Sequence, residues 1–288
     1  MKIGIGLPNT IKGTPGRRLV EWAQLAEERG FSGLATIDRI AYPNYDSLSV
    51  LAAVAGATTR IGLMTNILIA PLYQPVHLAK VAASVDQLSG GRLTLGIAPG
   101  GRADDYAVVG RDFGSRGKDL DALLETLHEV WSGQVPAGAG GEAAAPPPVN
   151  GGRVPLVFGG SNARAYERMA RWGEGFTFGG VPASQVAPLV EQVRAAWNAA
   201  GRAGEPRICA LSYFSLGEDV VEESHGYVLD YYSFLGEYAG MIADSRLTSA
   251  EAVREAVAAY GEAGVTEVYL DPTSNRLAQV ERLAEAVL

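Results

Sequence analysis

Short apolar runs alternate along the chain with longer stretches in which apolar residues recur every three or four positions. The runs predict β-strands and the stretches predict amphipathic helices. The strands fall at 2–7, 33–37, 60–69, 92–97, 154–158, 175–178, 207–215 and 267–270. The helical segments fall at 17–29, 47–55, 75–87, 119–131, 162–172, 182–200, 219–242 together with 249–261, and 274–287. Gly30 follows the first helix as a C-cap. Pro75 stands where a helix should start. Ser249 and Ser274 open capping stretches.

Strand segments such as "IGLMTNILIA" and "RLTLGIA" are almost continuously apolar, as in a parallel sheet covered on both faces. Strict βα alternation places the chain in the α/β class and predicts a closed (β/α)8 barrel. An open doubly wound sheet is the alternative. Its dinucleotide fingerprint is missing, because "GIGLPNTIKG" after the first strand fails the GxGxxG spacing. The expectation is one barrel domain over 1–288. The Gly-, Ala- and Pro-rich segment 133–152 is expected to be a flexible surface loop on the face away from the active site.

Composition narrows the partners more than the fold. The chain has 288 residues, 47% hydrophobic and 19% charged, enough for a large core. A net charge of −8 argues against nucleic acid as partner. The single cysteine, Cys209, excludes an intrachain disulfide. His77, His128 and His225 show no ligand spacing, so no metal is expected. The first residues lack a basic leader, and no apolar run reaches membrane-spanning length. A cytoplasmic protein without membrane contact is expected.

Barrel enzymes place their chemistry at the C-terminal ends of the strands. That rule selects Pro8–Asn9, Asp38–Arg39, Thr65 to Ile67, Ala98 to Asp105, Gly159 to Ser161, Gly179–Gly180, Ser212–Tyr213 and Asp271 to Thr273. Gly159, Gly160 and Ser161 precede a helix, and Gly179 and Gly180 follow at the next strand end. Free N–H groups and a helix N-terminus there suit a phosphate, although ordinary turn chemistry also uses glycine. Asp38 and Arg39 read as a ligand contact or proton-handling pair, or as an ion pair on the rim. Asn66 lies inside an apolar strand, so either the strand bulges or its amide meets a polar ligand. Tyr227, Tyr231, Phe234 or Leu235, and Tyr238 fall on one helical stripe that could roof a pocket. Asp104 and Asp105 are adjacent, so at most one is expected to face the pocket. Asp104 is the choice, with Asp105 an exposed helix-start residue.

Five stretches in order resemble the bacterial luciferase-like family of flavin- and F420-dependent oxidoreductases. They are "KIGIGLP", "LAEERGFSGLATIDR", "TRIGLMTNILIAPLYQPVHLAKVAASVDQLSGGRLTLGIAPG", "PLVFGGSNARAYERMARWGEGF" and "AGVTEVYLDPT". The resemblance implies the (β/α)8 barrel and a reduced FMN or coenzyme F420 at the strand C-termini. FMN implies monooxygenation with O2, and F420 implies hydride transfer. Residue by residue, it implies cofactor contacts at Asp38, Asn66, Ile67, Ala98, Gly100, Arg116, Gly159, Gly160, Ser161, Gly179 and Gly180. Asn66–Ile67 matches the third-strand bulge, where F420-using members often have a cis peptide. Asp38, Arg39 and Asp104 become the catalytic candidates. Arg39, Tyr42, Tyr45, Tyr106, Tyr213 and Tyr231 become the substrate-facing candidates.

Some positions depart from the pattern. Arg39 stands where F420-using members often have His. Gly101 replaces the glutamate of sugar-phosphate-oxidising members. Ala98 and Pro99 replace a reactive cysteine and a phosphate-binding arginine of luciferase. The reading is a monooxygenase using reduced FMN and O2 on a small organic substrate, with an F420-dependent reductase or dehydrogenase as the alternative. A non-catalytic flavin-binding protein and a cofactor-free isomerase or aldolase are further alternatives. A separate flavin or F420 reductase and a homodimer are the partner expectations.

Overall fold

The fold is that of a computed structural model, which describes residues 1–138 and 140–288. Eight parallel strands close into a barrel in sequence order. They are β1 (Lys2–Gly6), β2 (Gly33–Thr36), β3 (Gly62–Ile69), β4 (Leu93–Ala98), β5 (Leu156–Gly159), β6 (Gly175–Gly179), β7 (Arg207–Phe214) and β8 (Glu267–Pro272). β8 pairs back onto β1, which removes the open-sheet alternative. The helices are α1 (Gly16–Arg29), α2 (Ser47–Ala57), α3 (Pro75–Ser89), α4 (Ala103–Val108), α5 (Arg116–Trp131), α6 (Ala163–Trp172), α7 (Ala183–Ala199), α8 (Val221–Tyr231), α9 (Tyr238–Asp244), α10 (Ala250–Glu262) and α11 (Ala278–Val287).

The main core lies between strands and outer helices, where Trp22, Leu51, Leu127, Phe158, Phe176 and Leu283 are buried. A smaller cluster of Ala35, Met64, Val157, Cys209 and Tyr269 plugs the barrel. Gly4 and Gly33 make room for the Tyr269 ring, because a Cβ on either would run into it. At the N-terminal mouth Arg207 pairs with Glu267 at 2.6 Å, and Tyr269 donates to the same carboxylate at 2.8 Å.

"SGGR" is structural. Gly90 and Gly91 adopt positive φ, and Arg92 then donates to the carbonyls of Ala55, Thr58, Ile61 and Ser89. One guanidinium fork thus satisfies carbonyls left at the ends of α2 and α3.

Three parts of the sequence reading change. The helix expected over 219–242 is interrupted by 3-10 turns and resolves into α8 and α9. The expected stripe ends at Tyr231, and Phe234, Leu235 and Tyr238 are exposed. The helix start expected at Asp105 is the separate short helix α4, which was not among the expected helical segments. Within 133–152, Val149 N donates to Asp86 and Asn150 donates to Gly91 O, so the end of this segment is pinned to the α3–β4 turn. Ala139, part of that expected loop, lies outside the described residues.

Candidate active site

The strand C-termini enclose a cavity of about 470 Å³. Its walls come from the ends of β2 to β7, and Tyr231 and Tyr232 close it from the excursion that follows β7. That volume suits a small-molecule site.

β3 shapes the floor. Its pairing with β4 shifts register between Thr65 and Leu68, and the Asn66–Ile67 peptide is cis. The strand bulges, which is one of the two alternatives for Asn66, and the residue lines the cavity. Asn66 Oδ1 accepts from Thr177 Oγ1 at 2.9 Å. Its Nδ2 is buried without a protein acceptor. Gly159 lies opposite Ile67, whose side chain occupies the space a Cβ would take.

Asp38 stands on the wall, buried, and accepts from Ile69 N at 3.0 Å and from the Tyr73 hydroxyl at 3.1 Å. Burial pushes its carboxyl up to about 6, against the pull of those two donors. Arg39 beside it is also buried. Its Nη2 donates to Asp104 at 2.7 Å, and its Nε lies 3.0 Å from Asp105.

The two aspartates reverse the sequence expectation. Asp105 is wholly buried and also accepts from the N–H groups of Ile40 and Ala41. Asp104 is half exposed and reaches only the outer edge of Arg39. Neither lines the cavity. The reason is geometric: α4 turns the chain so that Asp105 faces the β2 end and Asp104 faces solvent.

Ala98, Gly159, Gly160, Ser161, Gly179 and Gly180 all line the cavity. No heavy atom within 4 Å would oppose a Cβ on Gly179 or Gly180, so this edge is open. Asn162 caps α6 immediately behind it. Tyr213 and Tyr231 also line the cavity.

Five other candidates sit elsewhere. Gly100 has positive φ, and its missing side chain makes room for Ile69 rather than for a ligand. Arg116 stacks on Phe113 at 3.9 Å and donates to its carbonyl. Tyr106 is buried against Ile69 and Leu72 and donates to Pro99 O at 2.5 Å. Tyr45 donates to Thr14 O. Tyr42 donates to Asp230 and lines a separate cleft of about 310 Å³ beside Lys12 and Tyr227.

Residues not singled out also enter the cavity. Thr177 was legible as a polar residue two positions from Gly175 and Gly179 in "GFTFGG". Arg102 lay within the selected β4 end but carried no assignment. Tyr232 faces the cavity because α8 stops beside it. Burial raises the hydroxyls of Tyr213, Tyr231 and Tyr232, which keeps them protonated donors. The Cys209 thiol is pushed up to about 12 by burial and is no nucleophile. Among the described residues, no three His, Cys, Asp or Glu side chains converge on a metal position. No described helix is long and apolar enough to cross a membrane.

A model of the luciferase-like monooxygenase family matches residues 1–269. The chain belongs to that family. The luciferase-like chain is 28% identical over 217 residues to an uncharacterised protein of Mycobacterium tuberculosis, covering 66% of this chain and 75% of the relative. It is 31% identical over 122 residues to the oxygenase component of a flavin-dependent trigonelline monooxygenase of Acinetobacter baylyi, covering 40% of this chain and 33% of that protein. Its fold superposes on an F420-dependent secondary alcohol dehydrogenase with a TM-score of 0.81 at 16% identity, over 99% of this chain and 98% of the other. Members of this luciferase-like family are flavin- or F420-dependent oxidoreductases.

Proposed function

We propose that the chain is a flavin-dependent oxidoreductase, a monooxygenase that uses reduced FMN and O2 on a small organic substrate. The observation that carries the reading is the Asn66 amide. It is a buried N–H donor without a protein acceptor, fixed by Thr177 at the floor of a largely apolar cavity. A buried donor calls for a ligand acceptor, and a flavin ring edge carries carbonyl oxygens and ring nitrogens.

The residues present fit such a group. Asp38, Asn66, Ile67 and Ala98 would hold the ring. Gly159, Gly160 and Ser161 before α6, with the open Gly179 and Gly180 beside them, would take the phosphate. The bound flavin supplies the redox chemistry, and the protein supplies position, a dry wall and fixed charges. Arg39 holds a permanent positive charge at the mouth, kept in place by Asp104 and Asp105. Tyr213, Tyr231 and Tyr232 would exclude water on the substrate side, where the Tyr213 and Tyr232 hydroxyls share a hydrogen bond.

The second reading is F420-dependent hydride transfer. Asp38 favours it, since a carboxyl with a pKa of about 6 at the wall can exchange a proton near neutrality. Arg39 weighs against it, because a guanidinium cannot accept a proton.

Titration with FMN, FAD and F420, read by absorbance and thermal shift, tests the cofactor. FMN is expected to saturate the protein and raise its Tm with concentration. Asn66→Ala is expected to weaken FMN binding by about tenfold, roughly the loss of one charge-free hydrogen bond from a dry site. Tight F420 binding with indifference to FMN would reverse the order of the two readings. Stoichiometric flavin binding without O2 or substrate turnover would favour a carrier.

A further inference from the structure

Two cations face the main cavity, Arg39 and Arg102. They differ in what balances them. Arg39 is gripped by two carboxylates. Arg102 forms no ion pair among the described residues, and its Nη1 is buried without a hydrogen-bond partner. Aromatic rings hold it instead: its guanidinium lies 4.6 Å from the Tyr231 ring and 4.2 Å from the Phe234 ring. Cation–π contact offsets part of the lost hydration but gives an N–H no acceptor.

The position is as informative as the missing partner. Arg102 comes from the loop between β4 and α4, whereas Tyr231 and Phe234 come from the excursion after β7. The three meet across the mouth, so the cation is clamped over the cavity. The glycine edge belongs to β5 and β6, a different part of the rim, and is open at Gly179 and Gly180. Between them the wall is mostly apolar, with Ile37, Ile67, Ile69, Phe178 and Leu211.

We propose that Arg102 is the anion-recognising residue on the substrate side of this cavity, and that the substrate class is a small apolar molecule bearing a carboxylate. This rests on reading the cavity as a flavin-type site, which leaves the roof side to substrate. A carboxylate there supplies both the missing counter-charge and the missing acceptor, in the planar geometry a guanidinium matches. The aromatic clamp holds the fork ready, so little ordering remains to be done on binding. A cofactor phosphate is the other oxyanion that could meet this cation, and the experiment separates the two.

Benzoate and hexanoate, with benzamide and hexanamide as neutral counterparts, are titrated by calorimetry into the wild type, Arg102→Gln and Arg102→Lys, each saturated with oxidised FMN. FMN is titrated separately into each. Wild type is expected to prefer at least one carboxylate over its amide by tenfold or more. Arg102→Gln is expected to abolish that preference and to leave FMN affinity within about twofold. Arg102→Lys is expected to keep part of the preference, and it serves as the folded comparison if the glutamine variant is unstable. Equal carboxylate binding by wild type and Arg102→Gln overturns the proposal, as does a lack of preference over the amides. Loss of FMN affinity in Arg102→Gln, with no change in carboxylate binding, assigns the cation to the cofactor and also overturns it. If no flavin binds any of the proteins, the same titrations are made without cofactor. A carboxylate preference that depends on Arg102 then supports the anion subsite while the cofactor reading fails.

Discussion

Asp271, next to last in β8, has both carboxyl oxygens buried and unpartnered, in space that Gly6 leaves open. Burial raises its pKa well above the ordinary carboxylate range. An acid raised in the folded state binds its proton more tightly there than in the unfolded chain. Its contribution to stability is therefore greatest below the unfolded value of about 4 and declines as pH rises above it. Asp271→Asn is expected to stabilise the protein at pH 8 by about 1 kcal/mol or more, the worth of a pKa difference of about one unit, because the amide has no proton to lose on unfolding. The gain should shrink toward pH 4, and urea unfolding at several pH values measures it. An unchanged pH profile would show that Asp271 finds a partner in solution. Asp38 follows the same sign, losing its share between about pH 4 and its folded value of about 6. At this scale the sequence exposed residue types but not their partners. Asn66 was legible because a polar side chain inside an apolar strand stands out, and Asp38 because it stands just past a strand's C-terminal end. Asp104 and Asp105 were not, since neighbours on one short helix are told apart only by which way the helix turns.

Element boundaries followed from capping and periodicity, and they were read best where both agree. α6 begins after Asn162, whose side chain accepts from Ala165 N at 3.1 Å, and ends at Gly173. Asn162→Ala is expected to cost about 1 kcal/mol, the usual worth of an N-cap. It should weaken FMN binding if the phosphate sits before α6, and thermal melts with and without FMN separate the two effects. An equal loss of Tm with and without FMN would remove α6 from the cofactor site. Reading failed where tertiary contacts override local preference. The segment after β7 has helical spacing throughout, yet Gly236 at positive φ and the packing of Tyr231 and Tyr232 break it into pieces. α4 is too short to show a period, and Asp105 anchors it by reaching across to β2.

Across the whole barrel, the buried ion-pair network and the main cavity lie at opposite ends. The Arg207–Glu267 pair closes the N-terminal mouth, with Thr94 and Tyr269 completing the network. Removing one partner leaves the other charge poorly solvated. Glu267→Gln is expected to cost about 2 kcal/mol, below the usual loss for a fully buried pair because Arg207 stays partly exposed. Cofactor affinity should not change, because the pair lies beyond the Tyr269 plug from the cavity. Chemical unfolding and an FMN titration of the same variant check both halves, and a changed FMN affinity would contradict this division of the barrel.

The sequence by itself determined the barrel. Eight alternating apolar periods, punctuated by glycine and proline, leave few other ways to bury every strand on both faces. It also determined the strand ends, and with them Asp38, Asn66 and the glycine edge. The tertiary structure alone decided which rim residues face inward. Tyr42, Tyr45, Tyr106 and Arg116 found hydrogen bonds or rings outside the cavity, while Arg102, Thr177 and Tyr232 turned into it. Burial depends on what the loops of distant strands place opposite a side chain. No local pattern encodes that, so Arg102 acquired its unbalanced charge only when the chain after β7 folded over it.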